Sequence, residues 1–269
     1  MLSILCLLAT KSMSLINEPR EGTKWVLAFS DEFNAPISSP PDPKKWTHEV
    51  GGGGFGNNEL QSYTAGSKNA FHDGKGHLII EARKEPTTGP DGIAREYSSA
   101  RLVTRGKFSQ AYGRFEARIK QPIGQGIWPA FWLLGDDIGH VGWPTCGEVD
   151  IMEYRGQHPK VQVGSAHGPG YSGDQCKSGK TELKEGTLAD GYHTYAIEWE
   201  PNQIRWFLDD HCYHTVTPAD LGGKKWVYDH PFFIILNMAV GGNYGGNPDA
   251  TTQLPQRLTV DWVKVFRKA

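Results

Sequence analysis

Apolar and polar residues alternate with a period of two in many short segments of the chain, and this pattern predicts β-strands. Successive side chains of a strand point to opposite faces, so each segment has one face to bury and one to expose. Gly, Pro and Asn bound the clearest segments, which are residues 77–83, 113–120, 192–199, 204–209, 232–236 and 258–266. Short turns such as Asp209-Asp210 fit between them. The pattern predicts an all-β fold, a sandwich of antiparallel sheets.

Long segments with the helical period of about 3.6 residues are missing from the sequence. Short helical turns are expected at residues 218–221, which follow the capping residue Thr217, and near Leu183. Two glycine-rich stretches, residues 51–56 and 241–246, are too flexible for element interiors. Neither carries the phosphate-binding pattern of glycine and lysine. We expect both stretches to be loops that rim a cleft.

Length and composition are those of one folded domain. The chain has 269 residues without a visible linker, 38% of them hydrophobic, and no apolar run approaches the ~20 residues of a membrane span. A net charge of −2 with scattered basic residues gives no electrostatic surface for nucleic acid or anionic membranes. Nine Trp and ten Tyr offer flat apolar faces that suit sugar rings, although most such residues belong to a core. We expect a monomer with a neutral ligand.

The N-terminal segment has the character of a leader. Residues 2–9 are almost entirely apolar and resemble the hydrophobic part of a secretory signal, although no Lys or Arg precedes them and no clear cleavage site follows. We therefore expect residues 1–23 to be a leader or a flexible segment, and residues 24–269 to be a single domain. The expected location is outside the cell or in the periplasm.

The four cysteines, Cys6, Cys146, Cys176 and Cys212, do not form a disulfide framework. Loss of Cys6 with the leader would leave three, which cannot all pair. A buried free thiol at Cys146 is the expected state, and one bridge among the three is the alternative. The sequence has no C-x-x-C or H-x-x-x-H pair that would indicate a zinc site.

Three acidic residues stand close together in the segment CGEVDIME, residues 146–153. In a regular strand Glu148 and Asp150 share one face, whereas Glu153 points to the other. One extra residue, a β-bulge at Ile151 or Met152, would bring all three acids to one face, and bulges are frequent beside active sites. A helix fits worse, because Glu148 and Asp150 would lie roughly 200° apart around its axis.

Crowding of these acids has a chemical consequence. Mutual repulsion and loss of hydration favour protonation of at least one carboxyl group near neutral pH. One ionised and one protonated carboxyl form the pair that a glycosidase needs. For the acidic pattern alone, the alternative is an amphipathic strand with a solvated acidic face, and the flanking sequence decides between the two interpretations.

The flanking sequence carries a family likeness. The segments GIWPAFWLL, residues 126–134, and GWPTCGEVDIME, residues 142–153, resemble the core signatures of glycoside hydrolase family 16, and within it the bacterial endo-β-1,3-glucanases called laminarinases. Further similar segments are residues 30–33, 57–64, 112–116, 167–171, 193–199 and 237–242. The resemblance implies one catalytic domain over residues 24–269, with the concanavalin A-like jelly roll of two curved antiparallel sheets. It places the substrate cleft on the concave face.

The resemblance also implies roles for the three acids. Glu148 would be the nucleophile, Glu153 the general acid and base, and Asp150 the residue that holds and tunes the pair. Hydrolysis would proceed by double displacement with retained configuration, which requires the two carboxyl groups about 5 to 5.5 Å apart. The bulged spacing resembles that of laminarinases, so we expect endo-hydrolysis of β-1,3 linkages in laminarin-type glucans. Mixed-linkage 1,3-1,4-glucan is a second expected substrate.

Aromatic and polar residues near the acids are candidates for binding the sugar. Trp128, Trp132 and Trp143 are the stacking candidates, with ordinary core packing as the alternative, above all for Trp132. Trp143 lies in a Gly-Trp-Pro turn, where its indole would face the cleft. By resemblance, the polar candidates are Asn58, Arg101, His167 and Asn237. Asn58 would bind a hydroxyl or cap a turn. Arg101 would bind a hydroxyl or pair with Glu59 or Glu116. His167 and Asn237 would stand on strands beside the acids.

No cofactor is expected for catalysis. The resemblance implies a structural calcium ion on the convex face, held by Glu32, the carbonyl of Gly76 and Asp261, and oxygen donors of this kind suit calcium. The alternative for Asp261 is a solvated strand face.

Two other functions fit the same fold. A lectin-like β-glucan-binding module would keep the cleft and lose the acids, yet all three are present, and burying carboxylates against a neutral sugar is costly. A transglycosylase, or an enzyme for another polysaccharide, would keep the acids. Residues 168–173 and Trp143 could then shape the preference.

Overall fold

The computed structural model describes residues 24–269. The expected leader, residues 1–23 with Cys6, lies outside the described residues. Seventeen strands are found in the described part of the chain: β1 Trp25–Asp31, β2 Thr47–Glu49, β3 Gln61–Tyr63, β4 Ala70–His72, β5 Leu78–Thr88, β6 Ala94–Ser99, β7 Arg101–Val103, β8 Gly113–Lys120, β9 Ile127–Gly135, β10 Glu148–Glu153, β11 Val161–His167, β12 Lys177–Glu182, β13 His193–Glu200, β14 Gln203–Leu208, β15 His211–Val216, β16 Phe232–Val240 and β17 Gln256–Lys268.

The helical segments are single turns. They are the 3₁₀ turns Gly54–Gly56, Gly173–Gln175 and Pro218–Leu221, and the α-helical turns α1 Ile138–Val141 and α2 Gly242–Gly245. None of the helices within residues 24–269 is long and apolar enough to cross a membrane.

The strands form two sheets. A ten-stranded sheet has the order β15-β14-β13-β8-β17-β5-β6-β3, with β1 on β17 and β4 on β5. A seven-stranded sheet has the order β12-β11-β10-β9-β16-β7-β2. Neighbours are antiparallel except β3 and β6, which run parallel. The predicted jelly-roll sandwich is confirmed.

One hydrophobic core joins the sheets. It combines residues of the ten-stranded sheet, such as Phe115 and Trp206, with residues of the seven-stranded sheet, such as Phe131, Leu133 and Leu236. A second, smaller cluster covers part of the opposite face of the seven-stranded sheet, and it consists of Val103, Leu134, Cys146, Phe233 and Ile235. Because β16 has apolar neighbours on both faces, all nine of its residues are buried, and all except Asn237 are apolar.

Each of the six segments predicted from alternation coincides with a strand, and three of them extend one residue beyond it. In β8 the alternation is complete, since Phe115, Ala117 and Ile119 enter the core between half-buried polar residues. The turn at residues 218–221 is confirmed as a 3₁₀ turn, and a capping box between Thr217 and Asp220 stabilises its start.

Two local predictions were wrong or incomplete. The helical turn expected near Leu183 is absent, because the Leu183 N–H instead donates to the carbonyl of Lys160 at the end of the β11–β12 pair. Both glycine-rich stretches contain one helical turn instead of being loops throughout. The two stretches contact each other closely, since a Cβ at Gly242, which has φ +86°, would lie 2.9 Å from the carbonyl oxygen of Asn57.

Within residues 24–269 the cysteines are free thiols, and Cys146 is buried as predicted.

Candidate active site

The irregularity predicted in the acidic strand is present in β10. Along β9, Asp150 pairs with Trp132 and Met152 with Phe131, so Ile151 is the extra residue. Along β11, Asp150 pairs with Ser165 and Glu153 with Val163, which is the same insertion seen from the other side. The bulge is therefore confirmed at Ile151, one of the two predicted positions.

The bulge separates acidic from apolar side chains. Val149, Ile151 and Met152 are fully buried in the main core. Glu148, Asp150 and Glu153 lie together on the other face of the sheet, where the charge of Asp150 raises the pKa of both glutamates. Without the extra residue, Glu153 would point into the core with the apolar side chains.

Glu148 is held by a tryptophan and a histidine. Nε1 of Trp143 donates to Oε2 of Glu148 at 2.7 Å, and Nε2 of His167 lies 3.9 Å from Oε1. Burial, and then the charge of Asp150, raise the pKa of Glu148 to about 8, although His167 and the Trp143 hydrogen bond oppose this shift.

Asp150 and His167 form an ion pair at the centre of the site. Nε2 of His167 lies 3.1 Å from Oδ2 of Asp150, which is buried. His167 stands opposite Glu148 in the β10–β11 register. Burial lowers the pKa of His167, but the contact with Asp150 outweighs it and raises the pKa to about 12. His167 is therefore protonated at neutral pH, and it lies beside the acids as predicted.

Glu153 is the third acid. Its Oε2 accepts a hydrogen bond from Oγ of Ser165 at 3.1 Å. Burial, and then the charge of Asp150, raise the pKa of Glu153 to about 8. The charge of Glu148 also raises the pKa of Glu153, so ionisation of one glutamate disfavours ionisation of the other. Such a pair can hold one ionised and one protonated carboxyl near neutral pH.

Cross-strand rows extend the site over neighbouring strands. Ala130 of β9 pairs with Glu153 on one side and with Asn237 of β16 on the other, and Asn237 pairs with Arg101 of β7. Trp132 of β9 stands beside Asp150 in the next row. Since residues in one row face the same way, these side chains belong to the surface that carries the acids.

Trp143 and Trp128 differ in exposure. Trp143 is 50% exposed, and its ring centroid lies 6.3 Å from that of His167, so its indole faces the acids as expected. Trp128 is only 8% exposed and packs against Tyr244 with ring centroids 5.2 Å apart. By strand alternation Trp128 lies on the same face of β9 as Ala130 and Trp132, where Tyr244 covers it, and its contact with a sugar stays a prediction.

Trp132 and Asn237 are linked to each other. Nε1 of Trp132 donates to Oδ1 of Asn237 at 2.7 Å, and Nδ2 of Asn237 donates to the Tyr63 hydroxyl at 3.0 Å. The Tyr63 hydroxyl in turn donates to Glu59 at 3.0 Å. Asn237 is buried and lies two strands from β10. The placement of Asn237 on a strand next to the acids was therefore wrong, and in this structure its amide orients Trp132.

Arg101 pairs with neither of the two acids considered from the sequence. Its Nε contacts Oε2 of Glu49, because β2 and β7 pair in a register that sets these two residues opposite each other. Glu116 belongs to the other sheet, where it pairs with Arg114. The Arg101 guanidinium lies 4.8 Å from the Trp132 ring centroid, a cation–π contact that fixes one face of the indole.

Asn58 joins the two glycine-rich stretches. It has φ 55°, is exposed, and donates from Nδ2 to Oδ1 of Asn243 at 2.9 Å. The backbone N–H of Asn243 donates to the carbonyl of Asn57 at 2.8 Å. The side chain thus has a structural partner, in keeping with the turn alternative, while a contact with substrate stays a prediction.

The residues expected to bind calcium are engaged otherwise. Glu32 pairs with Lys264 at 3.0 Å, and Asp261 pairs with Arg118 at 2.5 Å. Gly76 is buried with φ 89°. In this arrangement the two carboxylates do not fit a calcium site, because cationic side chains already neutralise them. The calcium ion stays a prediction.

Sequence reasoning did not single out Tyr244, Tyr63, Glu49 or Ser165. Tyr244 lies in α2, where burial and then the charge of Glu153 raise its pKa, and the Arg155 guanidinium lies 4.6 Å from its ring centroid. The one available signal was an aromatic residue inside a glycine-rich stretch. Tyr63, Glu49 and Ser165 contact residues of the site because of strand registers, which cannot be predicted from a single sequence.

Comparison with known proteins agrees with this geometry. The model of the family described as glycosyl hydrolases family 16 matches residues 57–264. The chain belongs to this family. A beta-glucanase of Rhodothermus marinus is 45% identical in an alignment of 251 residues that covers 90% of this chain and 85% of that protein. A glucan endo-1,3-beta-glucosidase of Cryptopygus antarcticus is 39% identical over 83% of this chain and 84% of that protein.

A solved structure is also similar to this family 16 chain. The catalytic domain of an endo-1,3-beta-glucanase (laminarinase) from Thermotoga petrophila superposes with a TM-score of 0.86 at 45% sequence identity. The match covers 91% of this chain and 99% of that domain. Both the fold and the family predicted from the sequence are confirmed.

Proposed function

We propose that this protein is a retaining endo-1,3-β-glucanase that hydrolyses laminarin-type β-glucans, with mixed-linkage 1,3-1,4-glucan as a second substrate. The observation that carries the proposal is the bulge at Ile151, which gathers Glu148, Asp150 and Glu153 on one face. Relatives named for 1,3-β-glucan hydrolysis, which align over most of the chain, support the linkage.

In the first step, Glu148 attacks the anomeric carbon while Glu153 gives its proton to the departing glycosidic oxygen. The attack requires Glu148 to be ionised, and the transfer requires Glu153 to be protonated. The raised pKa of Glu153 supplies that proton near neutral pH. Trp143 and the Asp150–His167 ion pair keep Glu148 in place, since the indole N–H binds one of its oxygens.

In the second step, Glu153 has lost its proton and acts as base toward a water molecule. Water takes the place of the departed glucan, attacks the anomeric carbon and breaks the ester to Glu148. The proton of water returns to Glu153, so both glutamates regain their starting states. Two displacements at the same carbon give retention of configuration.

Asp150 suits the role of an electrostatic tuner. Its charge raises the pKa of both glutamates, and Nε2 of His167 lies 3.1 Å from its Oδ2. A binding module would gain nothing from this arrangement, because several buried acids next to a neutral sugar are costly to desolvate. The proposal includes action outside the cytoplasm, where polymeric glucan is accessible.

Reducing-sugar release from laminarin by the wild type and by Glu148→Gln tests the proposal. We expect release by the wild type and near-background release by the variant, which keeps the size of the side chain. Equal, background values for both would indicate a binding module instead. Product analysis in methanol gives the stereochemistry, and a methyl α-glucoside would contradict double displacement.

A further inference from the structure

The backbone carbonyls of the bulge accept hydrogen bonds from buried side chains on the core side of the sheet. A bulge interrupts the ladder between strands, so its carbonyl groups need other partners. Nε1 of Trp206 donates to the carbonyl of Asp150 at 2.8 Å, and Nε2 of Gln162 donates to the carbonyl of Ile151 at 3.1 Å. Both donors are fully buried, so neither can contact a substrate.

Trp206 reaches the bulge from the opposite sheet, and a glycine makes room for it. Trp206 lies in β14, whereas Gly164 lies in β11 between the partners of Asp150 and Glu153. A Cβ at Gly164 would lie 2.3 Å from Cδ1 and 2.8 Å from Nε1 of Trp206. Any side chain at this position would therefore displace the indole from the Asp150 carbonyl.

A second bulge lies behind the first. In the β14–β15 pair, Trp206 faces His214 and Phe207 faces Cys212, so Tyr213 is the extra residue of β15. Nε2 of Gln162 also lies 2.7 Å from the carbonyl of Val163 and 3.3 Å from the Tyr213 hydroxyl, so its two hydrogens are shared among three acceptors. Gln162 thus connects the irregular part of one sheet with that of the other.

We propose that Trp206 and Gln162, the bulge clamp, are positioning residues for the acids, an inference that rests on the proposed function. A regular β10 would satisfy its carbonyl groups in the ladder but would turn Glu153 into the core. The bulge clamp offsets this stabilisation of the regular strand, because it provides hydrogen-bond donors to the Asp150 and Ile151 carbonyls only in the bulged form. It thereby fixes the spacing of Asp150 from Glu148 and Glu153 without touching the sugar.

Trp206→Phe tests the inference, because it keeps an aromatic ring and removes the N–H. Trp199→Phe is the matched control: Trp199 lies in the neighbouring strand β13, is fully buried, and donates to the carbonyl of Tyr228 at 3.1 Å. We expect kcat on laminarin to fall about 10- to 100-fold in Trp206→Phe, with KM unchanged, as for a small misplacement of catalytic groups. Trp199→Phe should keep the wild-type kcat.

The pH profile separates positioning from general destabilisation. Asp150 raises the pKa of Glu153, so moving Asp150 away lowers that pKa and shifts the basic limb of the kcat profile to lower pH. We expect this shift in Trp206→Phe and in Gln162→Met, which keeps the side-chain length without the amide. If Trp206→Phe does not fold, the pH profile of Gln162→Met tests the inference.

The possible results are distinct. An inactive wild type would refute the proposed function rather than this inference. An active wild type with wild-type kcat and pH profile in both bulge-clamp variants would overturn the inference. Equal losses in Trp206→Phe and Trp199→Phe, without a shift of the basic limb, would also overturn it.

Discussion

Nε1 of Trp143 lies 2.7 Å from Oε2 of Glu148, although the Trp143 side chain is half exposed to solvent. The same indole can therefore meet a sugar ring with its face and the proposed nucleophile with its edge. A hydrogen bond to the charged form of a carboxyl group lowers its pKa, and this bond opposes the rise caused by burial. It links substrate binding to the ionisation of Glu148.

Trp143→Phe should raise the pKa of Glu148 further, because the phenyl ring retains the apolar face and loses the donor. We expect kcat/KM on laminarin to fall about 10-fold, which corresponds to about 1.4 kcal/mol, with the acidic limb of the pH profile moved to higher pH. Rates measured over a pH series check this. Trp262→Phe, in β17 of the other sheet, is the control and should leave the limb in place. An unmoved limb in Trp143→Phe would show that the bond does not tune Glu148.

Glu153→Ala should slow hydrolysis of laminarin by a factor of about 10² to 10⁴, since it removes the proposed proton donor. Aryl glucosides with good leaving groups need little protonation, so they should still form the glycosyl-enzyme. Azide should then speed the second step and give a β-glucosyl azide, which chromatography and NMR identify. Loss of activity on every substrate without azide rescue would count against the role of Glu153.

The sequence predicted the bulge because side-chain parity is a local property. Glu148 and Glu153 stand at an odd separation, so a common face required one extra residue between them. The choice between Ile151 and Met152 needed the register with β9, which pairs Asp150 with Trp132 and Met152 with Phe131. Local sequence patterns therefore predicted which acidic residues form the site, whereas their relative positions depend on long-range strand pairing.

Long-range pairing also explains the errors. The Arg101–Glu49 ion pair forms because β2 and β7 pair at the edge of the seven-stranded sheet. No sequence motif indicates that pairing. Asn237 was placed too close to the acids for the same reason, since β9 lies between β16 and β10. The sequence does not single out Trp206, and only the fold shows that its N–H donates to the Asp150 carbonyl.

Gly242→Ala should disturb the contact between the two glycine-rich stretches. The new Cβ would lie 2.9 Å from the Asn57 carbonyl at a φ of +86°, which costs about 1 to 3 kcal/mol of unfolding free energy. Displacement of Asn58 should raise KM for laminarin while kcat stays close to that of the wild type. Gly106→Ala is the control: it has φ +72° and nothing within 4 Å of its Cβ, so it should destabilise the fold without raising KM. Equal KM values in the two variants would show that this contact does not shape the binding surface.

Glu153→Gln should change the dependence of stability on pH. The folded-state pKa of Glu153, about 8, lies above the usual glutamate value of 4.5, so its favourable contribution is present below pH 4.5 and is lost as the pH rises through about 8. The wild type is therefore penalised at pH 9 for ionising a buried group, whereas the amide is not. We expect Glu153→Gln to exceed the wild type in unfolding free energy by on the order of 2 kcal/mol more at pH 9 than at pH 4. Urea unfolding at both pH values measures the difference, with Glu96→Gln, an exposed position, as the control. A difference that does not grow with pH would mean that Glu153 is not buried among the other acids.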